Sequence, residues 1–211
     1  MSDIVQGSDA WRMLRLGKHT ASRTDDATAR TKTGWSASRA NYATELIVER
    51  LTQKPTNSFQ DADMRHGNET EPAARTRYEL DTLNVVTQVP FVDHPSIKMS
   101  GASPDGLVGL EGLIEIKCPT TKTHINTLMG EPISGKYMKQ IQWQLACTDR
   151  HWCDFVSYDD RLPDEMQIFI KRIERNDKMI SELSEQIAQF LAEIAARETK
   201  LRNLYSRKEA A

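Results

Sequence analysis

The sequence predicts an α/β (α+β) fold in which a mixed central sheet is flanked by helices and a long helix ends the chain. Three observations predict it. Helical spacing dominates up to about residue 83, strand formers take over from Asn84, and helices and strands then alternate to about residue 172; that order is the signature of a sheet with helices packed on it. The last stretch, residues 176–207, carries an apolar stripe at 3-4 spacing, namely Ile180, Leu183, Ile187, Phe190, Ile194, Leu201 and Leu204. A helix of that length would run about 48 Å at about 1.5 Å per residue.

The elements follow in order. Residues 10–17 read as a short amphipathic turn or helix closed by Gly17, and Ser22-x-x-Asp25 opens a second short helix in the manner of a capping box. Residues 30–36 combine turn chemistry with no period, so a mobile loop is expected, with Trp35 among basic residues either stacking on DNA at an entrance or, as the plainer reading, an ordinary exposed aromatic. Ala43, Leu46, Ile47 and Leu51 mark a helix that Pro55 stops. Residues 61–83 are helical in propensity, and Pro72, which lacks an N–H, is expected to kink that helix or start a new one. Val85, Val86, Val89, Phe91 and Val92 form strands, residues 97–100 another, and Pro104-Asp105-Gly106 is a turn. Leu107-Val108 and residues 113–118 make a hairpin around Glu111-Gly112. Helices are expected at about 121–129 and 136–148, with strands at about 152–158 and 166–172.

Composition narrows the function classes. With 211 residues, 38% hydrophobic and 27% charged, the chain reads as one globular domain over 1–211, with a core at about 9–175. Apolar runs are too short for a membrane span. Residues 1–9 lack a basic flank followed by an apolar core, so no secretory signal is expected. Three cysteines without a Cys-x-x-Cys pair exclude a disulfide scaffold or zinc finger, which points to a reduced, cytoplasmic setting. Net charge is −2, yet residues 1–60 carry +3 and residues 61–115 carry −6. A basic front and an acidic middle suit an enzyme acting on a polyanion with bound cations, and equally suit an ordinary solvated surface.

The chemistry concentrates in Ile114-Glu115-Ile116-Lys117-Cys118. Alternation along a strand puts Ile114, Ile116 and Cys118 on one face and Glu115 with Lys117 on the other. Asp105, ten residues before Glu115 at the start of the hairpin, is within reach of it. Two carboxylates and an ammonium at one point suit Mg²⁺-assisted phosphodiester cleavage: carboxylates hold hard cations, the ion acidifies water and neutralises phosphate charge, and the lysine positions or deprotonates that water. An exposed edge-strand ion pair beside a surface turn is the plain alternative. Glu198-x-Lys200 repeats the triplet on a helix, where residues two apart do not face each other.

SPDGL (103–107) with IEIKCP (114–119) resembles the Asp…Glu-x-Lys core of the restriction-endonuclease-like nucleases. Asp9-Ala10-Trp11-x-x-Leu14-Arg15-Leu16-Gly17, Thr20-Ala21-Ser22 and Tyr137-Met138-x-Gln140-x-Gln142 resemble, in the same order, the lambda-type (YqaJ-type) alkaline exonucleases of phages and prophages. The resemblance spans about residues 9–160; the loop at 30–39 and the last fifty residues fall outside it. It implies Asp105, Glu115 and the backbone carbonyl of Ile116 as Mg²⁺ ligands for two ions, with Mn²⁺ a possible substitute. Lys117 would activate the water, Glu71 in Gly67-x-x-x-Glu71 would add an acid, and Gln142 would lie near the scissile phosphate. Arg15, Ser22 and Ser103 would capture the 5′-terminal phosphate. An arginine fork and a serine at a helix start suit that anion physically, although a solvated arginine and a plain N-cap are the bland readings.

The implied activity is 5′→3′ digestion of one strand of linear double-stranded DNA, leaving 3′ single-stranded ends. The implied partners are DNA ends, a single-strand annealing protein and two further copies in a ring-shaped homotrimer. A restriction- or repair-type endonuclease, a DNA-end-binding module without activity and a metal-dependent phosphatase are the rivals. His66, five residues before Glu71, is read as a solvated side chain because that offset does not share a helical face with Glu71.

Overall fold

A computed structural model of the chain describes residues 4–56 and 62–206. Helix α1 (Asp9–Leu14) is capped by Ser8 and leads to Gly17, whose φ of +65° favours glycine. Strand β1 (His19–Thr20) passes into a 3-10 turn (Ala21–Arg23) and a short helix α2 (Thr24–Thr28). The expected capping box does not form. Neither the turn nor α2 has a side-chain cap, and the exposed Ser22 hydroxyl instead faces Thr20 Oγ1 at 3.5 Å.

The expected loop at 30–36 is a tight hairpin, β2 (Arg30–Thr31) with β3 (Gly34–Trp35). Its driving contact is a stack rather than a periodic pattern: the guanidiniums of Arg30 and Arg39 lie 4.0 and 3.9 Å from the Trp35 ring centroid. Helix α3 (Ala37–Thr52) is capped by Ser36. Helix α4 (Ala62–Thr82) runs through Pro72, where the sequence predicted a kink or a new start. Pro72 lies on the exposed side, and the fully buried Ala74 and Tyr78 hold the second half against the sheet.

The main sheet has the order β10-β9-β8-β7-β4, formed by β4 (Val86–Thr87), β7 (Gly106–Val108), β8 (Gly112–Lys117), β9 (Trp152–Tyr158) and β10 (Ile168–Glu174). Only β8 and β9 are parallel, with Glu115 opposite Phe155 and Lys117 opposite Ser157. A smaller sheet joins β1, β6 (Ser100–Ala102) and β5 (Val92–Asp93). The strand expected at 97–100 starts three residues late, because Met99 takes a left-handed φ of 60° that no strand accommodates.

Strand β8 is central and covered on both faces, which excludes the exposed edge-strand reading. Leu113 packs with Ile141, Leu145 and Phe155 under helix α6 (Gly135–Thr148), whereas Ile114 and Ile116 pack with Ala74 and Tyr78 of α4. Helix α5 (Thr121–Leu128) precedes α6, and α7 (Asp177–Tyr205) closes the chain close to the expected span. Its first half buries Leu183, Ile187, Phe190 and Ile194 against α3 and Trp143, while Leu201, Leu204 and Tyr205 stay exposed. No helix among the described residues is long and apolar enough to cross a membrane.

Candidate active site

The hairpin β7–β8 brings Asp105 to Glu115. Asp105 precedes β7, and its Oδ2 accepts the backbone N–H of Ile116 at 2.6 Å. Glu115, only 1% exposed, would be a costly buried anion without partners. It has three. Lys117 donates to Oε1, as does Gln140 Nε2 at 2.6 Å, and Gln144 Nε2 donates to Oε2 at 2.5 Å. Both glutamines are buried on the face of α6 that covers β8, one helical turn apart.

Glu71, on α4, bonds Arg75 and is close enough for its charge to act on Asp105 and Lys117. Burial, then repulsion from Glu115 and Glu71, pushes the Asp105 carboxyl well above the usual carboxylate range. Burial also raises Glu71, against the pull of Arg75. The Lys117 ammonium is disfavoured by burial, but Glu115 and Asp105 more than reverse this and raise its pKa. Three carboxylates against Lys117 and a distal arginine leave negative charge in excess. An all-oxygen donor set with excess negative charge fits a hard divalent cation.

Gln142 is not brought to this cluster. It is 1% exposed, donates to the Glu174 carbonyl at 2.9 Å and accepts from Asn176 N at 2.8 Å, which ties α6 to the β10–α7 junction. Two residues along a helix is a rotation of about 200°, so Gln142 looks away from the face that Gln140 and Gln144 share. These two are the residues that sequence reasoning missed. The Gln-x-Gln-x-Gln run held the signal, and helical period would have paired its outer members.

A second group lies near Ser103, two residues before Asp105. The Arg15 guanidinium stacks 3.9 Å from the Trp11 ring centroid, and Trp11 Nε1 donates to Ser103 Oγ at 3.0 Å and to Pro90 O at 2.8 Å. The Ser103 hydroxyl in turn donates to Pro90 O at 2.7 Å, so it is engaged at both ends and braces Trp11. Apart from the Trp11 ring, the Arg15 guanidinium makes no ion pair or hydrogen bond among the described residues. Burial chiefly, opposed by Tyr42 and Glu49, lowers its pKa to about 10, which leaves it cationic at neutral pH. Tyr42, whose charge acts on Arg15, accepts the Thr20 N–H, and the Ser22 hydroxyl lies 3.5 Å from Thr20 Oγ1.

The hairpin gathers Asp105, Glu115 and Lys117 on a mixed sheet flanked by helices, and that architecture is a nuclease-type fold. A family profile described as the YqaJ-like viral recombinase domain matches residues 10–151. Two crystal structures of LHK-Exo, an alkaline exonuclease from Laribacter hongkongensis, one of them in complex with dAMP, match at 50% identity and a TM-score of 0.88. They cover 95% of this chain and 99% of that one. A phage-related exonuclease from Haemophilus somnus matches at a TM-score of 0.71 and 14% identity, covering 87% of this chain and 96% of its own, which shows the shared fold alone. No match was found among curated proteins. The chain belongs to the YqaJ-like viral recombinase family, of lambda exonuclease type, and its homology to an alkaline exonuclease supports a hydrolytic nuclease.

Proposed function

We propose that the protein is a Mg²⁺-dependent 5′→3′ exonuclease that digests one strand of linear double-stranded DNA to mononucleotides. The observation that carries the reading is the carboxylate cluster, buried Glu115 with half-buried Asp105 and Glu71 around Lys117, with its excess of negative charge. Asp105, Glu115 and the Ile116 carbonyl would hold the cations. Bound there, Mg²⁺ supplies an acidified water and neutralises charge on the scissile phosphate, and Mn²⁺ has the same oxygen preference. Gln140 and Gln144 hold both Glu115 oxygens and fix the direction of its remaining lone pairs. Lys117, kept ionised by its acidic neighbours, orients the attacking water and the phosphate oxygen.

Arg15 and Ser22 capture the 5′-phosphate, and Ser103 acts through Trp11, the platform under Arg15. An arginine fork without a carboxylate partner suits a terminal phosphate. Holding that group sets the polarity and makes cleavage depend on an end. The remaining single strand with a 3′ end would pass to a single-strand annealing protein in recombination, in the cytoplasm. A ring-shaped homotrimer around the duplex would give processivity without a strongly basic chain. The test is digestion of linear duplex with and without a 5′-phosphate, in Mg²⁺ and in EDTA. Cleavage confined to Mg²⁺ and accelerated by the phosphate is expected; nicking of closed circular duplex would favour the endonuclease reading instead.

A further inference from the structure

His66 is not the solvated side chain that its spacing predicts. It is half-buried on α4, and its Nε2 is buried without a hydrogen-bond partner among the described residues. Facing it are Asp159 and Asp160, the two residues after β9. The Asp159 side chain is 0% exposed. Its Oδ1 accepts from Arg161 Nε at 2.6 Å and from Arg161 N at 3.1 Å, while its Oδ2 is buried with no hydrogen-bond partner among the described residues. One ligand atom from each of His66, Asp159 and Asp160 lies within 4.8 Å of the others. His66 and Asp159 each bury a polar atom without a hydrogen-bond partner among the described residues, which is rare because such an atom forfeits its hydration without recompense.

We propose that His66, Asp159 and Asp160 form a second divalent-metal site, distinct from the Asp105–Glu115 cluster, which takes a first-row transition ion such as Zn²⁺, Co²⁺ or Mn²⁺. An imidazole nitrogen with two carboxylates suits those ions, whereas Mg²⁺ prefers oxygen alone. The outer contacts are those of a metal site. His66 Nδ1 lies 3.4 Å from Thr70 Oγ1, which orients the ring and leaves Nε2 as its unpartnered nitrogen. Arg161 fixes the Asp159 carboxylate through Oδ1, and Arg161 with the neighbouring Thr121 hydroxyl favours its ionised form. Ligand atoms on a tetrahedral ion sit roughly 3.4 Å apart, so the exposed Asp160 side chain has a short distance to close. Such an ion would tie α4, and with it Glu71, to the end of β9.

The experiment is a Co²⁺ titration of the full chain carrying Asp105→Asn and Glu115→Gln, which silence the first site, read by visible absorbance. One saturable equivalent is expected, with affinity at least tenfold weaker once His66→Gln or Asp160→Asn is added. Absence of saturable absorbance, or a titration unchanged by His66→Gln, would overturn the proposal. If the silenced chain does not fold, equilibrium dialysis of the singly substituted His66→Gln and Asp160→Asn proteins decides. Each should bind one Co²⁺ fewer than the unsubstituted chain, and equal stoichiometry would overturn the site.

Discussion

Strands β8 and β9 each bury a carboxylate: Glu115 is 1% exposed and Asp154 is 3% exposed, on neighbouring parallel strands. Asp154 is balanced. Arg172 donates to both of its oxygens at 2.9 and 3.0 Å, and the Tyr78 hydroxyl donates to Oδ2 at 2.8 Å. Glu115 is satisfied in hydrogen bonds but not in charge, since Lys117 is shared with Asp105 and Glu71 stands nearby. Burial of an acid therefore does not mark a site. Excess charge held in place by neutral donors does.

The largest expected effect separates the two acids outright. Glu115→Gln or Lys117→Ala should lower nuclease turnover by about 10³-fold or more, as for other groups acting at a reacting phosphate. Asp154→Asn should leave turnover near that of the native chain. It should cost about 1–3 kcal/mol of stability, because the buried Tyr78 hydroxyl and the Arg172 fork lose their anion. Arg172 is about half exposed, so water limits that loss. A melt and a turnover assay on both variants decide, and reversed results would break the comparison.

The glutamines sharpen it next. Gln140→Leu and Gln144→Leu remove the donors that aim Glu115, and each should reduce kcat by about 10- to 100-fold with little change in KM, the usual scale for groups that orient a metal ligand. Gln142→Leu should leave kcat alone and lower the melting temperature, since its amide serves the β10–α7 junction. Equal kinetic effects at all three positions would show that the helix merely needs its amides.

How much of this was legible in the sequence follows from which signals are local. Alternation in Ile114–Cys118 and the Glu111-Gly112 turn define a hairpin by themselves, so the pairing of Asp105 with Glu115 can be read from the residues alone. The stripe from Ile180 to Ile194 defines α7 for the same reason. What stayed hidden depends on partners far along the chain. Nothing near Gln142 says which face of α6 meets β8. Nothing near Ser103 announces that Trp11, 92 residues earlier, claims its oxygen. The Trp35 hairpin rests on Arg39, a side chain outside the turn, and His66 meets its acids across more than ninety residues.

At the cationic end, Arg15→Ala should erase the preference for a 5′-phosphorylated end and raise KM for such duplexes by about tenfold, the value of one charge-assisted contact of about 1.4 kcal/mol. Duplexes with a 5′-hydroxyl should be cut at an unchanged rate. A loss of equal size on both substrates would place Arg15 in the support of Trp11 rather than at the phosphate.

The smallest effect is a stability difference of opposite sign from that of Asp154→Asn. In the folded chain burial, then Glu115 and Glu71, raises the Asp105 carboxyl above its ordinary 3.8. A raised carboxyl binds its proton more tightly folded than unfolded, so the stability it lends is full below pH ~3.9 and drains as pH rises through the folded value. Asp105→Asn keeps an oxygen for the Ile116 N–H and removes the charge, so without metal it should melt higher than the native chain at pH 8 and no higher at pH 4. Added Mg²⁺ should close the gap by stabilising only the native chain, since an ion that binds the folded form alone shifts the equilibrium by mass action. If Asp105→Asn instead melts lower at pH 8, the cluster is not electrostatically strained, and the contrast with Asp154 fails at its base.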